Sequence, residues 1–174
     1  MIKKIPALSF LLLVVLLAGC GQKGSSKGDR NADAWLPFDK GMAKAKKEKK
    51  PVVIDFYTSW CKWCKVMDKR TFSKPEVKEY LAEHFVTIRL NAESTWEQLE
   101  YRGRKYSPTQ LTRHFGVRGF PSLAYLDSER KLITVIPGFV QPETFLPFLH
   151  YIKKECYKKK MTFEEYLKKK GECE

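Results

Sequence analysis

Two cysteines two residues apart, in Cys61-Lys62-Trp63-Cys64, are the residues of this chain best placed to do chemistry. Such a pair closes into a disulfide and reopens, passing two electrons each time. The pair follows the apolar run 51–57, at a point where a strand gives way to a helix. The first turn of a helix leaves several backbone N–H groups unpaired and carries partial positive charge. Both stabilise a thiolate, the form that attacks disulfides. The predicted chemistry is thiol–disulfide exchange, which calls for no cofactor. A structural zinc site needs four ligands, and no second C-x-x-C or nearby histidine pair accompanies this one, so no metal site is expected.

Asp55 is the second candidate. It lies six residues before Cys61, inside Val52-Val53-Ile54-Asp55-Phe56-Tyr57, which reads as a strand buried on both faces. A buried carboxylate tends to hold its proton, so its pKa is expected to be raised. Around this strand the periodicity alternates between helix and strand. Phe38, Met42 and Ala45 mark one face of a basic helix that stops before Pro51. Ser73 with Glu76 reads as a capping box for a helix buried through Val77, Tyr80 and Leu81, and 85–90 as a second strand. Ser107, Pro108 and Gln110 open another short helix. Ser122–Leu126 and Leu132–Ile136 form a hairpin, and Gln141-Pro142 starts a helix with Phe145, Leu146, Leu149 and Ile152 on its apolar face. A final short helix begins at Thr162, with Glu165 as its cap partner. The order of elements predicts an α/β domain: strands joined by crossover helices, then an antiparallel pair.

The start of the chain bears on where it works. Lys3 and Lys4 precede a 13-residue apolar run, Ala7 to Gly19. A membrane span needs about 20 residues, so the run has the length of a secretory signal core. It ends in Leu17-Ala18-Gly19-Cys20, which resembles the lipobox of bacterial lipoproteins. That resemblance implies cleavage before Cys20, lipidation of its sulfur and amine, and a place in the bacterial cell envelope, on the exported side of a membrane. Expected boundaries are a signal peptide over 1–19, a flexible tether over 20–33, the α/β domain over 34–155 and a helical C-terminal extension over 156–174. Net charge is +13, and loss of Lys3 and Lys4 with the signal lowers it by two. Much of the excess falls in 44–50 and 153–170 at helix-like spacing, which reads as a solvated face or, alternatively, as weak attraction to anionic lipid; no nucleic-acid motif is present. Besides Cys20 and the dithiol, Cys156 and Cys173 remain. In an oxidising compartment a bridge between them would staple the C-terminal tail, contributing about 3 kcal/mol on the loop-entropy model.

Trp60-Cys61-Lys62-Trp63-Cys64-Lys65, followed downstream by Gly116-Val117-Arg118-Gly119-Phe120-Pro121-Ser122, resembles the thioredoxin superfamily, with Gly138 where its members carry a glycine after the hairpin. The stretch from Trp60 to Val77 is similar to the C-terminal domain of transmembrane thiol–disulfide interchange proteins. The resemblance implies a thioredoxin-like fold, with a central mixed sheet flanked by helices. Cys61 would be the exposed nucleophile and Cys64, one turn in and more buried, the resolving thiol. Asp55 would assist deprotonation of Cys64. Arg89 takes the place of a lysine the family often has beside this acid, and would hold Asp55 ionised more firmly. Pro121 would be a cis-proline beside the dithiol, blocking metal from it, with Phe120 helping to read the client. Trp60 is expected to pack beside the site, while Trp63 reads equally as packing residue or as apolar contact for unfolded clients. Lys62 and Lys65 add positive charge near Cys61, which favours the reduced dithiol and makes the pair more oxidising.

The function expected is that of a lipid-anchored thiol–disulfide oxidoreductase, a reductant of exported proteins recharged by a membrane or soluble electron-donor thiol protein. Alternatives are an oxidase or isomerase of the same fold, a Cu(I)-binding protein using the same thiolates, or a client-binding platform. The stretch 92–106, with Trp96, Tyr101 and basic residues, reads as a packed surface loop or as a recognition element. His84, His114 and His150 are expected at the edge of the core rather than as ligands.

Overall fold

The computed structural model describes Met1 and residues 35–173. Cys20 and the expected signal peptide and tether lie outside the described residues. Element order is β1 (Trp35–Leu36), α1 (Phe38–Glu48), β2 (Val52–Tyr57), α2 (Lys62–Met67), a π-helical turn (Asp68–Phe72), α3 (Pro75–His84), β3 (Val86–Asn91), β4 (Leu99–Tyr101), β5 (Arg104–Tyr106), α4 (Pro108–His114), β6 (Ser122–Leu126), β7 (Leu132–Pro137), α5 (Pro142–Lys153), a 3₁₀ turn (Cys156–Lys159) and α6 (Phe163–Lys168).

The five-stranded sheet runs β1-β3-β2-β6-β7. β1 and β2 lie parallel to β3, while β6 is antiparallel to β2 and to β7. This is the mixed sheet expected. β2, at its centre, is apolar on both sides because helices cover both faces. Val52, Ile54 and Phe56 pack with Phe38 and Ala45 of α1 and Leu111 of α4. Val53 packs the other way, with Met67 of α2, Leu81 of α3 and Phe145 of α5. Side chains alternate along a strand, so Asp55 shares the face of Val53 and lies on the side of the dithiol helix. At Gly41 the helix α1 comes so close to β3 that a Cβ would stand 2.3 Å from Ile88 Cγ1.

Several local readings hold: β2 has the expected bounds, the β6–β7 hairpin forms, and the Ser107/Gln110 and Thr162/Glu165 boxes both close. The Ser73/Glu76 box does not. Pro75 occupies the first helical position and drives Lys74, the true N-cap, into extended backbone. Ser73 instead closes the π turn, donating its hydroxyl to the Lys69 carbonyl at 2.6 Å. The stretch 92–106, expected as a packed surface loop or a recognition element, contains a two-stranded hairpin, β4–β5, with Tyr101 buried and Trp96 84% exposed.

The C-terminal segment folds back on α5. Cys156 is bonded to Cys173, and both join a core cluster with Phe148, Tyr151 and Tyr166. His84 and His150 are half-buried against Tyr80, whereas His114 is exposed, beside Tyr101 and Tyr106. Among the described residues no helix is long and apolar enough to cross a membrane.

Candidate functional site

Strand polarity gathers the site at one end of the sheet. β2 and β3 run parallel, so their C-terminal ends lie together; β6 runs the other way, and Ser122 at its start pairs with Phe56 near the end of β2. The dithiol loop after β2, the loop after β3 and the Phe120-Pro121 segment before β6 therefore meet.

Cys61 is the N-cap of α2, with extended backbone, and its Sγ accepts the Cys64 backbone N–H at 3.1 Å. Cys61 and Cys64 are disulfide-bonded, with Cα atoms 5.3 Å apart. The α-helical segment passes directly into the π turn, so the cysteine caps a run of helical residues reaching Phe72. The expectation of an exposed Cys61 and a more buried Cys64 is not met: Cys61 is 3% and Cys64 7% exposed. In the bonded state the sulfur of Cys61 is turned inward onto Cys64, and exposure passes to the side chains around the pair.

Those side chains are Trp60 and Trp63, 68% and 57% exposed. Trp60, expected to pack beside the site, is largely exposed there. Its ring meets Phe120 edge-on with centroids 6.2 Å apart, and Trp63 lies against Phe139 at 5.8 Å. The Phe120–Pro121 peptide bond is cis. Lys62 and Lys65 are exposed on the same helix as the cysteines.

Asp55 is 1% exposed. Its Oδ2 accepts from Arg89 Nε at 2.9 Å and lies 2.9 Å from Nη2, while Oδ1 has no hydrogen-bond partner. Burial raises the carboxyl pKa to about 6, more than the Arg89 charge and hydrogen bond lower it; Asp68 adds a smaller upward push. The raised pKa expected of a buried carboxyl is thus present, with Arg89 opposing it only in part. Arg89 Nη2 also bonds Asp68 Oδ1, a carboxylate the π turn brings within reach. Trp35, Tyr57 and Phe72 surround the guanidinium, with centroids 5.0, 5.5 and 6.0 Å from its carbon.

Three participants escaped the sequence reading. Asp68 depends on a π turn that no periodicity announces. Phe139 sits beyond the β7 turn, where Thr71 donates to the Val140 carbonyl at 2.6 Å and ties that loop to the dithiol helix. Glu93 stands two residues past the end of β3; an acid just after the strand beside β2 was the available signal. It accepts from Ser59 N at 2.7 Å, Ser59 Oγ at 2.9 Å and Trp60 Nε1 at 3.0 Å.

The family model for a thioredoxin-like domain matches residues 38–153. The thiol:disulfide interchange protein DsbD of Photorhabdus laumondii is 30% identical over 135 residues, 76% of this chain and 21% of that protein. DsbD of Salmonella typhi is 32% identical over 111 residues, 63% of this chain and 18% of its own. The chain thus spans about a fifth of the length of these curated relatives. A thioredoxin-fold protein from Helicobacter pylori superposes with a TM-score of 0.61 at 23% identity, covering 70% of this chain and 80% of that one, a likeness of fold. On the domain match, the chain belongs to the thioredoxin-like domain family, and it carries a bonded dithiol at the head of α2.

Proposed function

We propose that this protein is an envelope thiol–disulfide reductant, held to a membrane by lipid on Cys20 and acting on exported proteins that carry disulfides. The observation that carries the reading is a bonded cysteine pair at a helix N-cap with a buried acid of near-neutral pKa on the same side of the sheet.

In the reduced state the Cys61 thiolate attacks a client disulfide. A bond forms between Cys61 and one client sulfur, and the other client sulfur leaves as a thiolate and takes up a proton. Cys64 gives its proton to Asp55 and attacks Cys61, breaking the Cys61–client bond; the second client thiolate leaves and takes up a proton from solvent, and Asp55 returns its own to solvent. The client gains two electrons and two protons, and the Cys61–Cys64 bond is restored. A thiol protein of the membrane or of the surrounding compartment must then return two electrons. The relatives' much greater length supports a donor outside this domain.

Lys62 and Lys65 favour a second direction, oxidation, by stabilising the reduced dithiol. The reduction potential decides: a value near about −270 mV supports the reductant, and one near about −120 mV the oxidant. Activity is tested by insulin reduction with dithiothreitol. Cys61→Ser is expected to abolish it and Cys64→Ser to trap a mixed disulfide with the client. If Cys61→Ser turns over insulin like the wild type, the reading is wrong. Anchoring is tested separately, since Cys20→Ala should release the protein from membranes and stop palmitate labelling.

A further inference from the structure

An indole 68% exposed beside a reactive sulfur would ordinarily sample several rotamers, and a client would have to order it on binding. Here it is already held. Each oxygen of the Glu93 carboxylate has its own donors: Oε1 takes the Trp60 indole N–H, and Oε2 takes the backbone N–H and hydroxyl of Ser59. The carboxylate thus grips the dithiol loop at two adjacent residues and fixes the ring edge-on to Phe120.

The grip comes from a rigid base. The Glu93 backbone N–H donates to Asn91 Oδ1 at 3.0 Å, closing a turn directly after β3. The Thr109 hydroxyl, in the first turn of α4, lies 2.8 Å from the Ala92 carbonyl and 3.1 Å from that of Ser94. Residues on both sides of Glu93 are therefore pinned to a helix. The Ser59 N–H, the largest influence on this exposed acid, holds its pKa below the usual carboxylate range, so the anion persists through neutral pH.

We propose that Glu93 is a positioning residue that pre-sets Trp60 as one wall of the client rim, and so determines selectivity for polypeptide disulfides over small ones. The proposal rests on the exchange activity proposed above. A polypeptide lies along the Trp60–Phe120 wall and gains from its being fixed in advance; a small disulfide reaches the sulfurs without touching it.

The test uses pre-reduced protein mixed with insulin or with glutathione disulfide, reading the two second-order rate constants by tryptophan fluorescence. In Glu93→Ala the insulin-to-glutathione ratio is expected to fall about five- to tenfold, the net size of one ordinary hydrogen bond. Trp60→Ala should lower it similarly, and the double variant by no more than about twofold further, because one effect acts through the other. Glu93→Gln keeps one acceptor oxygen and should recover part of the ratio. A Glu93→Ala ratio within twofold of wild type overturns the proposal, as does an equal fall in both rate constants or additive losses in the double variant. Wild-type protein that reacts with neither disulfide overturns the exchange activity itself and this inference with it.

Discussion

Both disulfides among the described residues are shielded: Cys61 and Cys64 are 3% and 7% exposed, Cys156 and Cys173 0% and 7%. Burial of the bonded residues therefore does not separate a working pair from a structural one. The surroundings do. Around Cys61–Cys64 stand two exposed tryptophans, a helix start and a buried acid short of hydrogen bonds. Around Cys156–Cys173 lie Tyr151 and Tyr166 with Phe148 and Phe163 close by, and Lys159 and Lys154 donate to the carbonyls of Cys173 and Gly171, closing the tail over α5. On the proposed function, one pole keeps a sulfur available; the other uses the same kind of bond to hold the chain.

That contrast is sharpest in paired cysteine variants. Cys61→Ser is expected to lower insulin reduction by about a thousandfold or more while thermal unfolding shifts little, because no nucleophile remains. Cys156→Ser with Cys173→Ser should do the reverse, leaving the rate of insulin reduction near wild type. It should remove about 3 kcal/mol from the urea-unfolding free energy by reopening the loop between them. Loss of insulin reduction in the second variant would erase the distinction between the poles.

Asp55 provides the next test. Its folded pKa, about 6, lies above its unfolded value of 3.8, so the folded protein binds this proton more tightly. Its contribution to stability is whole below pH 3.8 and is lost as pH rises through 6. Asp55→Asn should therefore be more stable than wild type at pH 8, by up to about 3 kcal/mol, with the difference vanishing near pH 4 in urea titrations. The same variant should slow release of the mixed disulfide and remove the rise in that rate through pH 6. A variant less stable at pH 8 would mean that the active pole stores no instability in this acid. The smallest effect belongs to the other pole. Thr162→Ala, which opens the capping box of α6, should cost about 1 kcal/mol in thermal unfolding without altering insulin reduction.

What could be read beforehand was what local chemistry controls. β2 is a continuous apolar run, and the caps at Ser107 and Thr162 are short-range hydrogen bonds between residues three apart. The dithiol and Asp55 were visible because their types are unusual at those positions. The failures share a different cause. β1 has two residues and owes its existence to β3. The β4–β5 hairpin turns on Arg102 and Gly103, both at positive φ, in a segment whose alternation of Leu99, Tyr101 and Tyr106 is too brief to stand out. Ser73 and Glu76 have the right spacing for a cap, but Pro75 between them moves the helix start. Glu93 was missed because the indole it accepts from, that of Trp60, lies 33 residues away in the chain. Arg89 was paired with one acid because the second reaches it only through the π turn.

The place of β2 in the sheet carries one more consequence. Hydrogen-bonded to β3 on one side and β6 on the other, it is paired along both edges. Asp55 lies within it and Cys61 four residues beyond its end, so the acid and the dithiol are tied to the interior of the sheet. On the proposed function, clients of varied shape are then accommodated by the rim, while the sulfurs stay where they are.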